Sequence, residues 1–274
     1  MRRLDEPTVP GRVLDDTDLR ELYAYPPELT TPWLRVNFVS SLDGAVAVDG
    51  RSGGLGTPAD KNVFGLLREL ADVILVGAGT ARTENYGGAR TSEALRERRA
   101  AAGLSAVPPI AVVTASGNLD PGMRLFTDTS VPPIVFTSGA VPEKKRRVLA
   151  DAGADVRVIA DDDIGGEALV AAVDRAGWSR VLCEGGPRLF GRMIADGVVD
   201  DLCLTWRPCS LPDRRTASLT PLPPLSPRCG APIWCATTTA RSSPDGYAIP
   251  APRSDRELFG GNRSNVLASM VCPF

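Results

Sequence analysis

Residues 71–80, Ala-Asp-Val-Ile-Leu-Val-Gly-Ala-Gly-Thr, decide the fold class. The apolar run Asp72–Val76 predicts a strand buried on both faces. A glycine-rich turn at 77–80 follows it. Before it, Thr57 followed by proline predicts a helix N-terminus, and apolar residues then form one stripe along 57–70. The stretch is therefore a helix, a buried strand and a turn in succession.

Outward from this stretch, strands alternate with helices up to residue 205. Further strands are predicted at 33–39, 45–48, 110–114, 134–137, 156–160, 180–183 and 202–205. Further helices are predicted at 15–23, 91–102, 142–152, 164–176 and 187–195. This alternation predicts an α/β domain with a largely parallel sheet. Ligands bind at the carboxyl ends of such strands, where the turns 77–80 and 185–187 fall.

Composition restricts the chemistry. The chain has 274 residues, 43% apolar and 23% charged, with a net charge of −2. It contains no histidine, which excludes Ser-His-Asp, Cys-His and His-ligated metal mechanisms. Catalysis must come from carboxylates, arginine or lysine, hydroxyls, backbone amides or a cofactor. We predict no metal site, and we interpret the six cysteines as free thiols because their spacing matches no metal motif.

Localisation and macromolecular partners follow from what the sequence lacks. No apolar stretch approaches the ~20 residues of a membrane span, and the N-terminus does not resemble a signal peptide. We therefore expect a cytoplasmic protein without a membrane partner. The basic runs at 96–99 and 144–147 have no interleaved aromatic residues, so we interpret them as solvated helix faces rather than as a nucleic-acid site.

Two glycine-rich turns are candidate anion sites. Gly185-Gly186-Pro187 links a buried strand to a helix, whose N-terminal amides favour a phosphate; a plain tight turn is the alternative. Gly77-Ala78-Gly79-Thr80 is G-x-G without a third glycine, because Arg82 holds that place, and this argues against a standard dinucleotide fingerprint. Arg82 either meets a 2′-phosphate or is a solvated loop residue.

Several polar residues are candidate site residues. Glu184 ends an apolar strand, and a buried carboxylate needs a partner; a substrate donor and a structural arginine are the alternatives. Asp43, after Ser40 and Ser41, is a site carboxylate or part of an Asp-Gly turn. Taken alone, Arg68 is most simply a surface residue and Glu84 a polar loop residue.

Three segments carry a family resemblance. They are 36–44 (VNFVSSLDG), 71–80, and 183–187 (CEGGP) with 199–202 (VDDL). In this order and spacing they resemble the reductase domain of riboflavin biosynthesis, the C-terminal half of the bifunctional deaminase–reductase. The resemblance covers roughly residues 30–205. It implies a dihydrofolate-reductase-like three-layer α/β fold, with a mostly parallel sheet flanked by helices.

The resemblance also implies a reaction and a set of site residues. The family reduces the ribose of 5-amino-6-(5-phosphoribosylamino)uracil to ribityl with NADPH. Asp43 and Glu184 are the implied catalytic residues, and Ser52, Arg68 and Glu84 the implied substrate contacts. The implied cofactor contacts are Val39, Gly77, Thr80, Gly185, Gly186, Pro187, Arg188 and Leu189. A homodimer is a further expectation, since the family tends to dimerise.

The chain departs from the family pattern in three places. Asn37 stands where many members have lysine, and Glu84-Asn85-Tyr86 replaces an Asp-Asn-Pro-like turn. No H-x-E or P-C-x-x-C motif of the deaminase half is present, so a stand-alone reductase is expected. Two alternatives remain: a reductase of the same fold acting on a pterin, which has no phosphate for Arg68 to bind, and a non-catalytic product of a broken gene.

The character of the chain changes near residue 206. Residues 206–274 contain 11 prolines, 8 basic and 4 acidic residues, and no lysine. We therefore divide the chain into an N-terminal extension at 1–32, a reductase domain at 33–205 that is incomplete at its C-terminal end, and a Pro/Arg/Ser-rich tail at 206–274. A natural low-complexity tail, usually irregular, is one interpretation.

A frameshift is the second interpretation of the tail. Read one base out of frame with GC-rich codons, residues 206–217 become V-A-P-L-L-A-A-G-P-A-D-R. This matches the Pro-Leu-Leu-x-Gly-Gly-like loop with which the family continues. Residues 234–246 likewise give L-V-R-D-D-D-G followed by apolar residues, plausible for the family's final hairpin. A domain without its closing strands is expected to be marginally stable and marginally active.

Overall fold

The computed structural model describes residues 13–41, 43–207, 233–236 and 267–270. Its centre is a seven-stranded, all-parallel sheet with the strand order β5-β4-β3-β2-β6-β1-β7. The strands are β1 Trp33–Ser41, β2 Val73–Gly77, β3 Ile110–Val113, β4 Ile134–Ser138, β5 Asp155–Ala160, β6 Arg180–Cys183 and β7 Asp201–Arg207. The helices are α1 Asp16–Leu22, α2 Pro58–Leu70, α3 Ala78–Thr83, α4 Glu93–Ala101, α5 Arg124–Thr127, α6 Glu143–Asp151, α7 Gly166–Arg175 and α8 Pro187–Ala195.

Apolar side chains cover both faces of the sheet. Along β2, Ile74 and Val76 belong to one hydrophobic cluster together with the apolar stripe of α2. Val73 and Leu75 point to the other face and join a second cluster with α7 and α8. A strand packed on both faces needs continuous rather than alternating apolar residues, which explains the run 73–76. The predicted α/β fold with a parallel sheet between helices is confirmed.

Helix α2 begins as the sequence predicts. Thr57 is the N-cap, and its hydroxyl accepts a hydrogen bond from the backbone N–H of Asp60 at 3.2 Å. Pro58 is the first helical residue, where its missing N–H costs nothing. The stripe Val63, Leu66 and Leu67 is buried.

A buried ion pair joins β1 to β7, the strand at one edge of the sheet. The Arg35 Nε atom on β1 lies 2.5 Å from Asp201 Oδ2 on β7, and the two side chains are 1% and 2% exposed. Arg35 also donates to the carbonyl of Tyr23 at 2.6 Å and lies over the Tyr25 ring at 4.2 Å. The segment after α1 is therefore anchored to the sheet, although the sequence placed it in an N-terminal extension.

Arg99 corrects one sequence expectation. We expected it on a solvated helix face, but it is 1% exposed. Its guanidinium donates to the carbonyls of Arg68, Glu69 and Ala71 at 2.8–2.9 Å, at the C-terminal end of α2. Those carbonyls have no partner within the helix, and a cation suits the negative end of the helix dipole. Arg99 thus fixes the last turn of α2, which carries Arg68.

Residues 45–48 do not form the predicted strand. The chain makes one isolated antiparallel bridge there, between Val48 and Arg51. Gly44 and Gly50 have φ angles of +82° and +77°, so the backbone turns at both ends of the segment. The turn signal at Asp43-Gly44 was correct, but too few residues separate it from the next turn for a strand to pair.

The tail lies largely outside the described residues. β7 continues through Trp206 and Arg207, which pair with Ser40 and Ser41 of β1. Beyond it, β8 Ile233–Ala236 and β9 Leu267–Met270 pair with each other in parallel. The ranges 208–232, 237–266 and 271–274 are not described, so the frameshift and the irregular tail stay predictions.

Two expectations about the rest of the chain can be compared with the structure. Within the described residues, none of the helices has the length and apolar character that a membrane span needs.

Cys183 and Cys203 are buried free thiols, and burial raises the pKa of the Cys183 thiol to about 12. The side chains of the other four cysteines lie outside the described part.

Candidate active site

A cavity of about 1320 Å³ opens at the carboxyl ends of the strands. Helices α2, α3 and α8 and the ends of β1, β2, β3 and β6 line it. Eleven of the thirteen predicted site residues lie on its wall: Val39, Ser52, Arg68, Gly77, Thr80, Glu84, Glu184, Gly186, Pro187, Arg188 and Leu189. Asp43 and Gly185 do not. The parallel sheet therefore brings together residues that are separated by up to 150 positions in sequence.

Glu184 is held at the end of β6 by two neighbours. Arg68 Nε donates to Oε1 at 2.6 Å and Arg68 Nη2 donates to Oε2 at 2.7 Å, a two-pronged pair. The Tyr86 hydroxyl donates to Oε2 at 2.7 Å. The Glu184 side chain is 1% exposed and that of Arg68 is 25% exposed. Of the two partners considered for Glu184, the arginine is the one in place, and Arg68 is not a simple surface residue.

The electrostatics keep this cluster charged. Burial lowers the pKa of Arg68, but the Glu184 carboxylate outweighs burial, and the net pKa is above the ordinary arginine value. Burial, reinforced by the negative charge of Glu184, raises the pKa of Tyr86 well above its usual range. The tyrosine is therefore a hydrogen-bond donor at neutral pH. Arg68 also lies over the Phe64 ring at 4.4 Å, which limits the directions its guanidinium can take.

Ser52 and Glu84 meet on another wall of the cavity. The Glu84 Oε1 atom accepts a hydrogen bond from the backbone N–H of Ser52 at 2.6 Å. Glu84 ends helix α3, which begins directly after the Gly77 turn. The sequence analysis treated 77–80 only as a turn and did not predict this helix. The carboxylate thus fixes the backbone at Ser52, and both residues lie on the cavity wall.

The two glycine turns pack against each other. The backbone N–H of Gly77 donates to the carbonyl of Gly185 at 2.7 Å. Gly185 has a φ of +85°, and the Gly185–Gly186 peptide bond is cis. Gly186 is the N-cap of α8, and its lack of a side chain leaves the first amides of the helix without a side-chain cap. Residues 186–189, which form this helix N-terminus, line the cavity together with Thr80, and uncapped N-terminal amides are what an anion site uses.

Gly186→Ala is expected to disrupt this anion site. A Cβ atom at residue 186 would lie 2.1 Å from Thr80 Oγ1, so the hydroxyl and the turn must separate. We expect the dissociation constant for inorganic pyrophosphate to rise ~10-fold or more, the cost of losing one well-placed hydrogen bond. Isothermal titration calorimetry measures it. Gly191→Ala, on the same helix with nothing within 4 Å of the added atom, is the control. Equal dissociation constants for the two variants would contradict the assignment.

Asp43 and Arg82, two residues that the sequence marks as site candidates, each make a hydrogen bond to another part of the protein. The Asp43 carboxylate accepts from the Ser41 hydroxyl at 2.5 Å, within the turn that follows β1 and away from the cavity wall. Its catalytic role stays a prediction. Arg82 lines the cavity and donates to the carbonyl of Asn118 at 2.7 Å, so one of its N–H groups is used by the protein and the others remain for a ligand.

Many residues of the cavity wall carry no signal in the sequence, and four of them are polar or charged side chains of interest here. The sequence marks Tyr86 only as a departure from a family turn, although it contacts Glu184. Lys61, Arg90 and Arg124 were not singled out, yet all three line the cavity. No local motif marks them.

Comparison with known proteins identifies the family. The profile of the RibD C-terminal domain matches residues 32–229. The chain belongs to the RibD C-terminal domain family. Among curated RibD-type relatives, a 2,5-diamino-6-ribosylamino-4(3H)-pyrimidinone 5′-phosphate reductase from Archaeoglobus fulgidus is 28% identical over 178 residues, 65% of this chain and 80% of that protein. A protein of the same name from Aquifex aeolicus is 26% identical over 54% of this chain and 63% of its own length.

Solved structures agree with this family assignment. A pyrimidine reductase-like protein from Corynebacterium diphtheriae is 26% identical, with a TM-score of 0.63 over 73% of this chain and 85% of that chain. The riboflavin biosynthesis reductase Rib7 of Saccharomyces, 18% identical with a TM-score of 0.51, shares the fold. The dihydrofolate-reductase-like α/β architecture expected from the resemblance is therefore confirmed. The match to the RibD profile continues past residue 205, where the sequence analysis ended the domain.

Proposed function

We propose that this chain reduces the ribose of a phosphoribosylaminopyrimidine to ribityl, with NADPH as hydride donor. The observation that carries the proposal is a single cavity that joins an anion-binding helix N-terminus to the Arg68–Glu184–Tyr86 cluster. The names of its relatives supply the substrate class: both curated relatives are named reductases of a pyrimidinone 5′-phosphate.

The residues of one side of the cavity fit a nicotinamide cofactor. Gly186 provides a cradle that any side chain would fill, since a Cβ atom there would lie 2.1 Å from Thr80 Oγ1. The open amides of α8 suit the cofactor's pyrophosphate. The residues that would hold the cofactor are Val39, Gly77, Thr80 and 186–189. Arg82 lines the same cavity and would be placed to meet a phosphate. When bound, the cofactor supplies the hydride that this histidine-free chain cannot supply itself.

The other side of the cavity orients the substrate. Arg68 and Glu184 present a fixed donor and acceptor edge, of the kind that an aminopyrimidine ring with N–H and C=O groups can pair with. Tyr86 fixes the Glu184 carboxylate. Ser52 and Glu84 form another part of the cavity wall. Because these groups are positioned by each other before a substrate arrives, little side-chain entropy is lost on binding.

The chain's own contribution to the reaction is position and polarity. Reduction breaks the bond between C1′ and the ring oxygen, adds a hydride to C1′ and requires a proton on the oxygen. Phe64, Val39 and Leu189 give the cavity wall apolar surface, and the charges of Arg68 and Glu184 act more strongly where a bound substrate displaces water.

An oxidation assay tests the proposal. Purified chain is mixed with NADPH and either 5-amino-6-(5-phosphoribosylamino)uracil or its 2-amino precursor, and the loss of nicotinamide absorbance is followed. Turnover of at least one of the two is expected, with dihydropterin turned over more slowly. Faster reduction of dihydropterin would favour the pterin alternative. No NADPH binding by fluorescence would favour a non-catalytic product. The homodimer and the cytoplasmic location stay predictions.

A further inference from the structure

Asp60 is a carboxyl of the cavity wall to which the proposed function assigns no role. Among the described residues, four carboxyl side chains line the cavity: Asp60, Glu84, Asp163 and Glu184. The last three are each held by an arginine or by a backbone N–H. Asp60 forms no ion pair within the described part of the chain, so its charge is not already matched by the protein.

The side chain of Asp60 is held by a hydroxyl from the edge strand β7. Thr205, which is 1% exposed, donates from Oγ1 to Asp60 Oδ1 at 2.5 Å. A local role is the alternative, because Asp60 lies in the first turn of α2, where acids often cap a helix. Asp18 does so at the same place in α1, where it accepts the backbone N–H of the N-cap Asp15 at 3.0 Å. Asp60 turns to β7 instead.

The surroundings of Asp60 leave its carboxylate in need of donors. The residue is partly buried, and this burial raises the pKa of its carboxyl above the usual range. The Thr205 hydrogen bond and the charge of the neighbouring Lys61 act in the opposite direction without cancelling the effect. A carboxylate withdrawn from water needs hydrogen bonds, and its two oxygens together can accept about four. One hydroxyl therefore leaves most of this capacity to a ligand.

Asp60 lies on the same side of α2 as Phe64 and Arg68. Positions i, i+4 and i+8 follow one another along a helix, and all three residues line the cavity. The rise of about 1.5 Å per residue places the Cα atoms of Asp60 and Arg68 about 12 Å apart. The helix thus presents a carboxylate, then an aromatic ring, then the Arg68–Glu184 pair. This order suits a flat ring that carries polar groups on two edges.

We propose that Asp60 is a specificity-determining residue whose carboxylate recognises the adjacent 2-amino and N3–H donors of a 2-aminopyrimidin-4-one, with Thr205 as its positioning residue. The inference rests on the proposed function, which brings such a ring into the cavity. An ionised carboxylate only accepts hydrogen bonds, so it pairs with these two donors and is repelled by the C2 carbonyl of a uracil. The 2-amino compound is therefore the expected substrate of the two offered in the oxidation assay.

The test measures the binding of free bases, without phosphate and without turnover. Isothermal titration gives the dissociation constants of 2,5,6-triaminopyrimidin-4-one and of 5,6-diaminouracil, which differ at C2, for the full chain, Asp60→Asn and Asp163→Asn. The full chain is expected to bind the triamino base ~10-fold or more tightly than the uracil. Asp60→Asn is expected to lose this preference, because an amide can donate to the C2 carbonyl as well as accept.

Two further variants separate recognition from folding. Asp163→Asn is the matched control, since Asp163 is the other aspartate on the described cavity wall and pairs with Arg192 at 2.6 Å. It is expected to keep the preference. Thr205→Val leaves the carboxylate in place without its hydroxyl partner and is expected to reduce the preference ~3-fold or more; it gives the same test if Asp60→Asn does not fold. A merely structural role of Asp60 would weaken both bases equally and leave their ratio unchanged.

Each outcome either supports the inference or overturns it. An unchanged ratio in Asp60→Asn, an equal loss in Asp163→Asn, or no preference or no binding by the unmodified chain would overturn it. A pterin carries the same 2-amino and N3–H edge, so 7,8-dihydropterin is titrated as well. Tighter, Asp60-dependent binding of dihydropterin would support the recognition of this edge and assign it to the pterin alternative. Selective binding of the triamino base without any reductase activity would refute the proposed function and leave the Asp60 site standing.

Discussion

Glu184→Gln is expected to lower both stability and reductase activity. The substitution keeps the shape of the side chain but leaves the Arg68 guanidinium, three-quarters buried, without a counter-charge. Removing one partner of a buried ion pair typically costs ~3–5 kcal/mol. Because Arg68 remains a quarter exposed, we expect the lower end, ~3 kcal/mol, in urea unfolding. Activity is expected to fall ~100-fold, the value of a charged contact to a bound substrate.

The double variant separates the two effects. Replacing a whole buried pair by uncharged groups is often neutral for stability. Arg68→Met together with Glu184→Gln is therefore expected to regain most of the lost stability, since no charge is left unpaired. Activity is expected to stay low, because the two groups that we propose to orient the substrate are gone. If Glu184→Gln turned over at the normal rate, the pair would be structural and its assignment to the substrate site would be wrong.

Restoring the reading frame after residue 205 is expected to raise the stability of the protein. β7 lies at the edge of the seven-stranded sheet, where the strands of a re-read tail would add. Burying a single valine or leucine is worth ~1.5–3 kcal/mol, and the total stability of a domain is only ~5–15 kcal/mol. We therefore expect the restored chain to unfold with at least ~2 kcal/mol more free energy than this chain.

The measurement compares the two chains side by side. Urea unfolding gives the stability difference, and NADPH fluorescence gives cofactor binding. Tighter NADPH binding together with higher stability in the restored chain would support the frameshift. Equal stability and equal binding would contradict it and would make residues 206–274 dispensable for the site. Genomic DNA with an intact single frame and no GC-rich bias at these codons would also count against it.

The elements that could be predicted are those in which local and tertiary preferences agree. α2 combines a Thr-Pro N-terminus with an apolar stripe, and β2 is apolar throughout because both of its faces are covered. The patterns that predict α2 and β2 are carried by residues that are neighbours in the sequence. The turn at 185–187 was predicted for the same reason, since a strand, two glycines and a proline specify a strand-to-helix turn almost without reference to the rest of the chain. At 77–80, where no proline follows, the turn was predicted but helix α3 was not.

The site could be predicted only in part because its partners come from distant loops. The sequence left open whether Glu184 pairs with a substrate or with an arginine, and the answer depends on a helix 116 positions away. Arg99 was misplaced because an arginine-rich helix usually faces water. Nothing local reveals that one arginine of the run meets the free carbonyls of another helix. Tyr86 and Arg124 were missed for the same reason.

The position of β1 has a consequence for how the protein is made. β1 leaves the ribosome first, yet it lies between β6 and β7, and Arg35 meets an aspartate 166 residues further on. At ~5–20 residues per second, translation takes on the order of ten seconds to deliver that partner. Until then both edges of β1, an apolar strand, are unpaired and are exposed to chaperones and to other nascent chains. The order of the strands thus makes the arrival of β6 and β7 the step that closes the sheet around β1.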